Sequence, residues 1–570
     1  MQISTLPDTK PVKTKGQKWP SFFDSTKTKI RTVSTFKPIL IGLGVVVVVF
    51  LVLTSNLAGL SYNSDDVAQQ TFVHNLTSPG PHLIEMENDN YIIKFPAYLV
   101  INLLTHPGIA QLVLESVLLN VAMIILLSAW WVMLFPKTSR SWLVFLWLLS
   151  SGTYWMAQTV NPDTRNIEVG LMVIFGFYAI SKLQGLNEKS YKNKRSLIIK
   201  TVLFGAIGGG LTYNDPYLLF FVLLPLFVAT LIYSLLHKDL RPTFVLSVGL
   251  YVDVVIFLVL GLVLARHNLR VTRFNEVYDV SSSYSPYNFT LSKIFRSLRS
   301  FLSLFGINIS FSNFNIRQYI EGLANLSIVI LAGFSLYDFI RNRRFSLRNL
   351  WIICTLVLTF IYVIGTGTPT FNTVRYFIIL IPITAMLVLV SLTRLKEKQY
   401  KYYRLAVLLI SLSIVLNAIG ALTIINSNSS NEQIGKPKPN SIDFRLVAAL
   451  NANEVTNSYG NYWIANVAYY LSGYKDNILP TVCRFGKVYK DPVLVDIDRF
   501  NFTSSDAGII VSPKLIADMN SPYPQSPSCT MSATLKQFGN PTRIVDVSSS
   551  VSLLVYDHRL NIPWRTLTPE

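Results

Sequence analysis

Long apolar stretches recur from residue 38 to residue 425, separated for the most part by short polar turns. A helix needs about 20 apolar residues to cross a bilayer. Eleven segments follow that pattern: 38–57, 109–135, 141–160, 167–183, 196–213, 217–236, 243–265, 319–340, 350–365, 373–392 and 405–425. Three stretches break the rhythm, at 58–107, 266–318 and 426–570. In the first, residues 65–75 read as a helix with Ser64 as N-cap, ended by Pro79-Gly80-Pro81. The run 91–104 is apolar but too short to span, which predicts a helix lying at the membrane interface or a buried loop helix. Beyond residue 426, helical patterns at 441–452 and 462–471 mix with short apolar runs at 508–511 and 551–556, as expected of a small α/β domain.

Composition agrees, with 51% hydrophobic residues and only 14% charged. The expected fold is an all-α polytopic membrane bundle of about eleven transmembrane helices with a small C-terminal extracytoplasmic α/β domain. It divides into a basic tail (1–36), a transmembrane domain (37–425) and a terminal domain (426–570).

Charge orients the bundle. Lys and Arg collect in the tail and in alternate turns, at Lys137 with Arg140, 189–195, Lys238 with Arg241, 341–344 and 394–404. By the positive-inside rule the amino terminus is cytoplasmic and all three long stretches are external. The same distribution explains the net charge of +19 without invoking nucleic acid. The tail is too long for the basic region of a secretory signal, so the first span reads as an uncleaved anchor. A multi-pass protein of the plasma membrane is expected. Cys354 falls within a span, while Cys483 and Cys529 fall in the external domain, where they can pair or stay reduced.

Candidate chemistry gathers in the external stretches. Asp65 and Asp66 follow the first span directly. Their mutual repulsion suits a general base or a divalent-cation site, and the alternative is two idle acids in the first turn of an exposed helix. His74 lies about 12 Å beyond Asp66 along an unbroken helix, too far to share one ion with it. The turn Asn161-Pro162-Asp163-Thr164-Arg165-Asn166-Ile167-Glu168 packs acid, base and acid together, either as a site or as a helix cap with a local Arg165–Glu168 pair. Asn214-Asp215-Pro216-Tyr217 reads as a helix start. Arg266, Arg270 and Arg273, and again Lys293, Arg296 and Arg299, recur at helical spacing on the side where cations are normally scarce. Such faces can bind a lipid phosphate or pyrophosphate, or serve generic attraction to anionic lipid. Arg375 opens the tenth span, as part of a cavity or as an interfacial anchor. Glu115 and Asp253 are ionisable groups within spans, functional candidates or bonds to a neighbouring helix.

The acid pair after the first span, the interfacial segment, Arg165-Asn166-Ile167-Glu168 opening the fourth span and Arg375-Tyr376 opening the tenth together resemble the GT-C superfamily of integral-membrane glycosyltransferases. The branch of protein O-mannosyltransferases and bacterial aminoarabinose transferases is the nearest in pattern. The resemblance covers residues 36 to 425 and does not reach the terminal domain. It implies a catalytic acid at Asp65 or Asp66, a second at Asp163, and a sugar donor carried on polyprenyl phosphate. Read with that resemblance, Arg270, Arg273 and Arg375 would meet the donor phosphate, with Arg165 and Glu168 as further candidates. The residues call for no particular cofactor, and a divalent cation at the acid pair fits the chemistry. The expected acceptor is a lipid, a glycan or a protein, and a transporter or flippase of lipid-linked sugars is the alternative activity.

Overall fold

A computed structural model describes residues 64–78, 84–86, 91–134, 141–150, 166–184, 194–215, 217–266, 269–271, 290–307, 316–365, 377–427, 442–484, 487–490, 497–500, 507–511, 531–548 and 551–564. Its helical part runs α1 (Ser64–Thr77), α2 (Tyr91–Leu104), α3 (Ile109–Leu134), α4 (Ser141–Leu149), α5 (Asn166–Gln184) and α6 (Lys194–Asn214). A π-helical turn at Leu219–Leu223 then leads into α7 (Leu224–His237), followed by α8 (Arg241–Arg266), α9 (Leu291–Leu304), α10 (Ile316–Arg341), α11 (Leu347–Gly365), α12 (Leu380–Lys398) and α13 (Tyr400–Ser427). Two short strands, β1 (Ile84–Met86) and β2 (Leu269–Val271), join the two long loops.

Among the described residues, six helices are long and apolar enough to cross a membrane: Ala110–Trp131, Leu219–His237, Arg241–Val263, Tyr319–Arg341, Leu347–Gly365 and Tyr400–Gly420. Helices also occupy the expected spans at 141–160 (in part), 167–183, 196–213 and 373–392 (in part), whereas 38–57 lies outside the described residues. The chain is an integral membrane protein. The segment 91–104, read as an interfacial or a buried loop helix, is a helix over those same residues, with Tyr98 and Ile101 buried and Leu103 and Leu104 exposed. The first-loop helix is longer than its pattern suggested, because Ser64 belongs to its first turn and Thr77 to its last; helix ends shift by a residue or two with local hydrogen bonding.

Small residues set the closest helix packing. A Cβ on Gly205 would lie 2.4 Å from the Gly249 carbonyl oxygen, and one on Gly209 would lie 2.6 Å from that of Asp253. Glycines at this spacing let α6 and α8 touch backbone to backbone, which is how helices associate where lipid supplies no hydrophobic drive. Asp253 sits in this seam, buried, with Thr212 Oγ1 donating at 3.4 Å. Its bond to a neighbouring helix is the second of the two readings its sequence position allowed.

Among the described residues the C-terminal unit forms a mixed six-stranded sheet, with α14 (Ile442–Ala452), β3 (Asn457–Asn461), α15 (Tyr462–Leu471), β4 (Asn477–Arg484), β5 (Lys487–Lys490), β6 (Ala507–Val511), α16 (Met531–Phe538), β7 (Arg543–Ser548) and β8 (Val551–Tyr556) in chain order. The strand order is β5-β4-β3-β6-β8-β7, with β3 parallel to both neighbours and the other pairs antiparallel. Strand alternation divides its core. Val551, Leu553 and Val555 pack with Ile442, Leu446, Leu450 and Ala468 from α14 and α15, while Leu554 and Tyr556 pack with Met531 and Leu535 from α16. Cys483 is on β4 and Cys529 lies outside the described residues, as does any pairing between them.

Candidate functional site

Four helices meet where the first long loop returns to the bundle. Val73 of α1, Tyr98 of α2, Leu119 of α3 and Ile167 of α5 form one buried cluster, and Phe72 meets Phe95 edge-on at 6.3 Å. This apolar knot fixes α1, the helix carrying Asp65 and Asp66 in its first turn, against α2 and the start of α5. Burial of each large apolar side chain contributes about 1.5–3 kcal/mol, enough to hold a loop helix in place without a turn of its own to brace it.

A charged pair lies beneath the knot. Lys94 Nζ of α2 stands 3.5 Å from Glu168 Oε2 of α5, with Lys94 fully buried and Glu168 2% exposed. Taking two charges out of water costs several kcal/mol per ion, a cost that each helps to offset for the other. Beside it, Ile93 N donates to Asn214 Oδ1 at 2.9 Å, tying the first turn of α2 to the end of α6. Ile93, Glu168, Leu171, Met172, Leu211, Asn214, Asp215 and Leu218 enclose a hollow of about 10 Å³, room for about one water molecule. Asp215 Oδ1 accepts from Tyr217 N at 3.0 Å, so this turn does start the next helical segment as its sequence indicated, while Asn214 reaches across to α2.

Lys94 was not singled out from sequence. Its signal was available: it is the one charge in the apolar run 91–104, and a lone ion at membrane depth needs a partner. Glu168 is paired across helices with Lys94, which approaches from α2. Arg165 itself lies outside the described residues, together with Asp163, Arg273 and Arg375.

The two long loops are joined. β1 pairs with β2 in parallel register, Ile84 with Leu269, Glu85 with Arg270 and Met86 with Val271. This overturns the helical face expected for Arg266, Arg270 and Arg273. Helix α8 ends at Arg266 and the chain becomes extended, so Arg270 sits on a strand; a spacing of three or four residues marks a helix only where the backbone is helical. The second cationic group is helical as expected, Lys293, Arg296 and Arg299 lying on α9.

The C-terminal unit closes over the same end of the bundle. Val67 and Leu112 pack with Val467 and Tyr470 of α15. Tyr470 OH lies 2.8 Å from Gln111 Oε1 and 2.9 Å from Gly108 O, either of which can accept its proton, and accepts from Gly108 N at 2.9 Å. His74 stacks on Tyr474 at 3.8 Å between ring centres, which gives this histidine a packing role on an unbroken helix well away from Asp66. Burial pushes the Tyr474 phenol above its ordinary pKa, keeping it neutral. Glu115 accepts from Gln70 Nε2 at 3.0 Å, linking α3 to α1, as its helix-bonding reading allowed. Among the described residues no three His, Cys, Asp or Glu side chains gather into a metal site.

A membrane bundle with an elaborated first loop and a capping α/β unit is an arrangement already seen in solved structures. In particular, the fold matches crystal structures of ArnT from Cupriavidus metallidurans. The apo state superposes with a TM-score of 0.53 at 14% identity, covering 92% of this chain and 98% of ArnT. The structure bound to undecaprenyl phosphate gives 0.52 at 14% identity, covering 91% and 98%. Coverage that wide takes in the C-terminal unit, for which the sequence offered no family likeness. No family model and no curated protein sequence matches the chain.

Proposed function

We propose that the protein transfers a sugar from a polyprenyl-phosphate carrier to an acceptor hydroxyl at the face of the membrane that carries the C-terminal unit. The observation that carries this reading is the convergence of α1, the Lys94–Glu168 pair and the β1–β2 junction at one end of the bundle. The helix that carries Asp65 and Asp66, the helix that carries the buried Lys94 and the start of a basic loop are linked there, and in this reading a lipid-borne head group arrives beside them. The ArnT structure with undecaprenyl phosphate supports a carrier of that chemical class. The positive-inside pattern supports an external site in the plasma membrane, with eleven spans and the first of them at 38–57.

In this reading Asp65 takes the proton from the acceptor hydroxyl as its oxygen attacks the anomeric carbon. The bond from that carbon to the phosphate oxygen breaks, and polyprenyl phosphate leaves with the electron pair. Direct displacement of this kind inverts the anomeric centre. Asp66 orients the base or holds a divalent cation, and Asp163 adds a second acid. Lys94, Arg270, Arg273 and Arg375 stabilise the charge growing on the departing phosphate, as preorganised cations do, with Glu168 setting the position of Lys94 and Arg165 at the mouth of the same turn. Positioned proton transfer contributes about 10²- to 10⁴-fold. The acceptor is a lipid, a glycan or a protein.

The test is incubation of the purified protein in nanodiscs with labelled polyprenyl-phosphate sugars. Wild type should transfer or release label, and Asp65→Asn should lose turnover by about that factor while still binding donor. Full turnover by Asp65→Asn would remove the proposed base, and absence of turnover with every such donor would remove the reaction. Sensitivity to EDTA decides whether Asp66 holds a cation.

A further inference from the structure

The cations of α9 stand apart from the site just described, and the helix around them is built unlike its neighbours. Over Leu291–Leu304 the sequence LSKIFRSLRSFLSL contains no acid. At about 100° per residue, its side chains sort into three faces. Ser297, Ser300, Phe301 and Leu304 are buried against the protein, with Phe301 meeting Phe360 and Phe377 at 5.2 and 5.7 Å. A second face exposes Leu291 (69%), Ile294, Phe295 (61%) and Leu298. The third carries Lys293, Arg296 and Arg299, turned roughly opposite the exposed apolar stripe.

Chain topology gives that arrangement a place. The span Arg241–Val263 ends shortly before α9 and the span Tyr319–Arg341 begins shortly after it, so α9 connects two crossings at one membrane face. Thr290 caps its start by accepting from Lys293 N, and at its end Phe305 stacks on Trp147 at 6.0 Å, which fixes the helix to the bundle side by side. A helix so held, apolar on one free face and cationic on the other, is matched to the boundary between acyl chains and phosphates.

We propose that α9 is a binding element for the anionic head-group layer of the bilayer. Leu291, Ile294, Phe295 and Leu298 enter the acyl boundary, and Lys293, Arg296 and Arg299 engage phospholipid phosphates. It explains why cations gather in a stretch that the positive-inside pattern would leave poor in them, and it is independent of the transfer reaction. Hydrogen exchange of the segment 291–304 in full-length protein tests it, using nanodiscs of phosphatidylcholine alone or with about 30% phosphatidylglycerol. Anionic lipid should slow exchange in wild type by up to about 100-fold for three surface cations. The slowing should vanish in high salt and in the triple variant K293Q/R296Q/R299Q, whose exchange in α11 should stay as in wild type to confirm its fold. Equal exchange in both lipids would overturn the proposal. So would slowing that appears in phosphatidylcholine only when a polyprenyl phosphate is added, since the cations would then hold a carrier rather than the bilayer.

Discussion

Glu168 and Asp253 are both acids buried in the helical bundle, yet they keep different company. Glu168 opens α5 at the end of the bundle, 3.5 Å from a buried lysine and beside a water-sized hollow. Asp253 lies well inside α8, where its contact is a hydroxyl at 3.4 Å and its neighbours are the glycines of α6. A carboxylate matched to a buried cation beside room for one water is the arrangement on which the proposed transfer draws. An acid wedged into a glycine seam completes a helix interface. Burial alone therefore does not tell the two acids apart; the partner and the space beside each do.

Four substitutions sharpen or break this contrast. The largest effect belongs to Lys94→Met, which leaves Glu168 buried without its ion and should cost about 3–5 kcal/mol, read as a lower melting temperature in detergent. Turnover should fall with it. Next is Gly205→Val, whose Cβ has no room against the Gly249 carbonyl; overpacking should cost about 1–3 kcal/mol while turnover per folded molecule stays near wild type. Tyr470→Phe removes the hydroxyl shared with Gly108 and Gln111. It should cost about 1–2 kcal/mol and show as faster hydrogen exchange in α1, against which α15 packs. The smallest effect is expected for Asp253→Asn, under about 1 kcal/mol, because a long hydrogen bond to Thr212 is preserved in kind. A large loss of turnover in that variant would reverse the contrast and favour proton coupling by Asp253.

Much of the fold was legible because it is written in local periodicity. Residues 91–104, 462–471 and 551–556 form their elements where the pattern placed them. Both longer apolar helices and strand alternation follow from burial, which acts residue by residue. The long-range joins were not legible. Lys94 and Glu168 are brought together by a loop folding back, and the β1–β2 pairing spans the intervening helices, so no local spacing announces either. Arg266, Arg270 and Arg273 misled for the same reason: their spacing is helical but the chain at Arg270 is extended. Of the candidate site, the acid pair was visible beside its span, whereas the buried Lys94 was not singled out.

The claim that the Lys94–Glu168 pair serves the reaction while Asp253 serves the fold is tested most directly by one rate comparison. Release of polyprenyl phosphate from a sugar-loaded donor is measured for wild type, the double variant Lys94→Met/Glu168→Met and Asp253→Asn. Replacing both ions by apolar side chains of similar size should restore most of the melting temperature lost in Lys94→Met. The double variant should nonetheless release carrier at about 1% of the wild-type rate or less, and Asp253→Asn should match wild type. A folded double variant working at the wild-type rate would contradict the account.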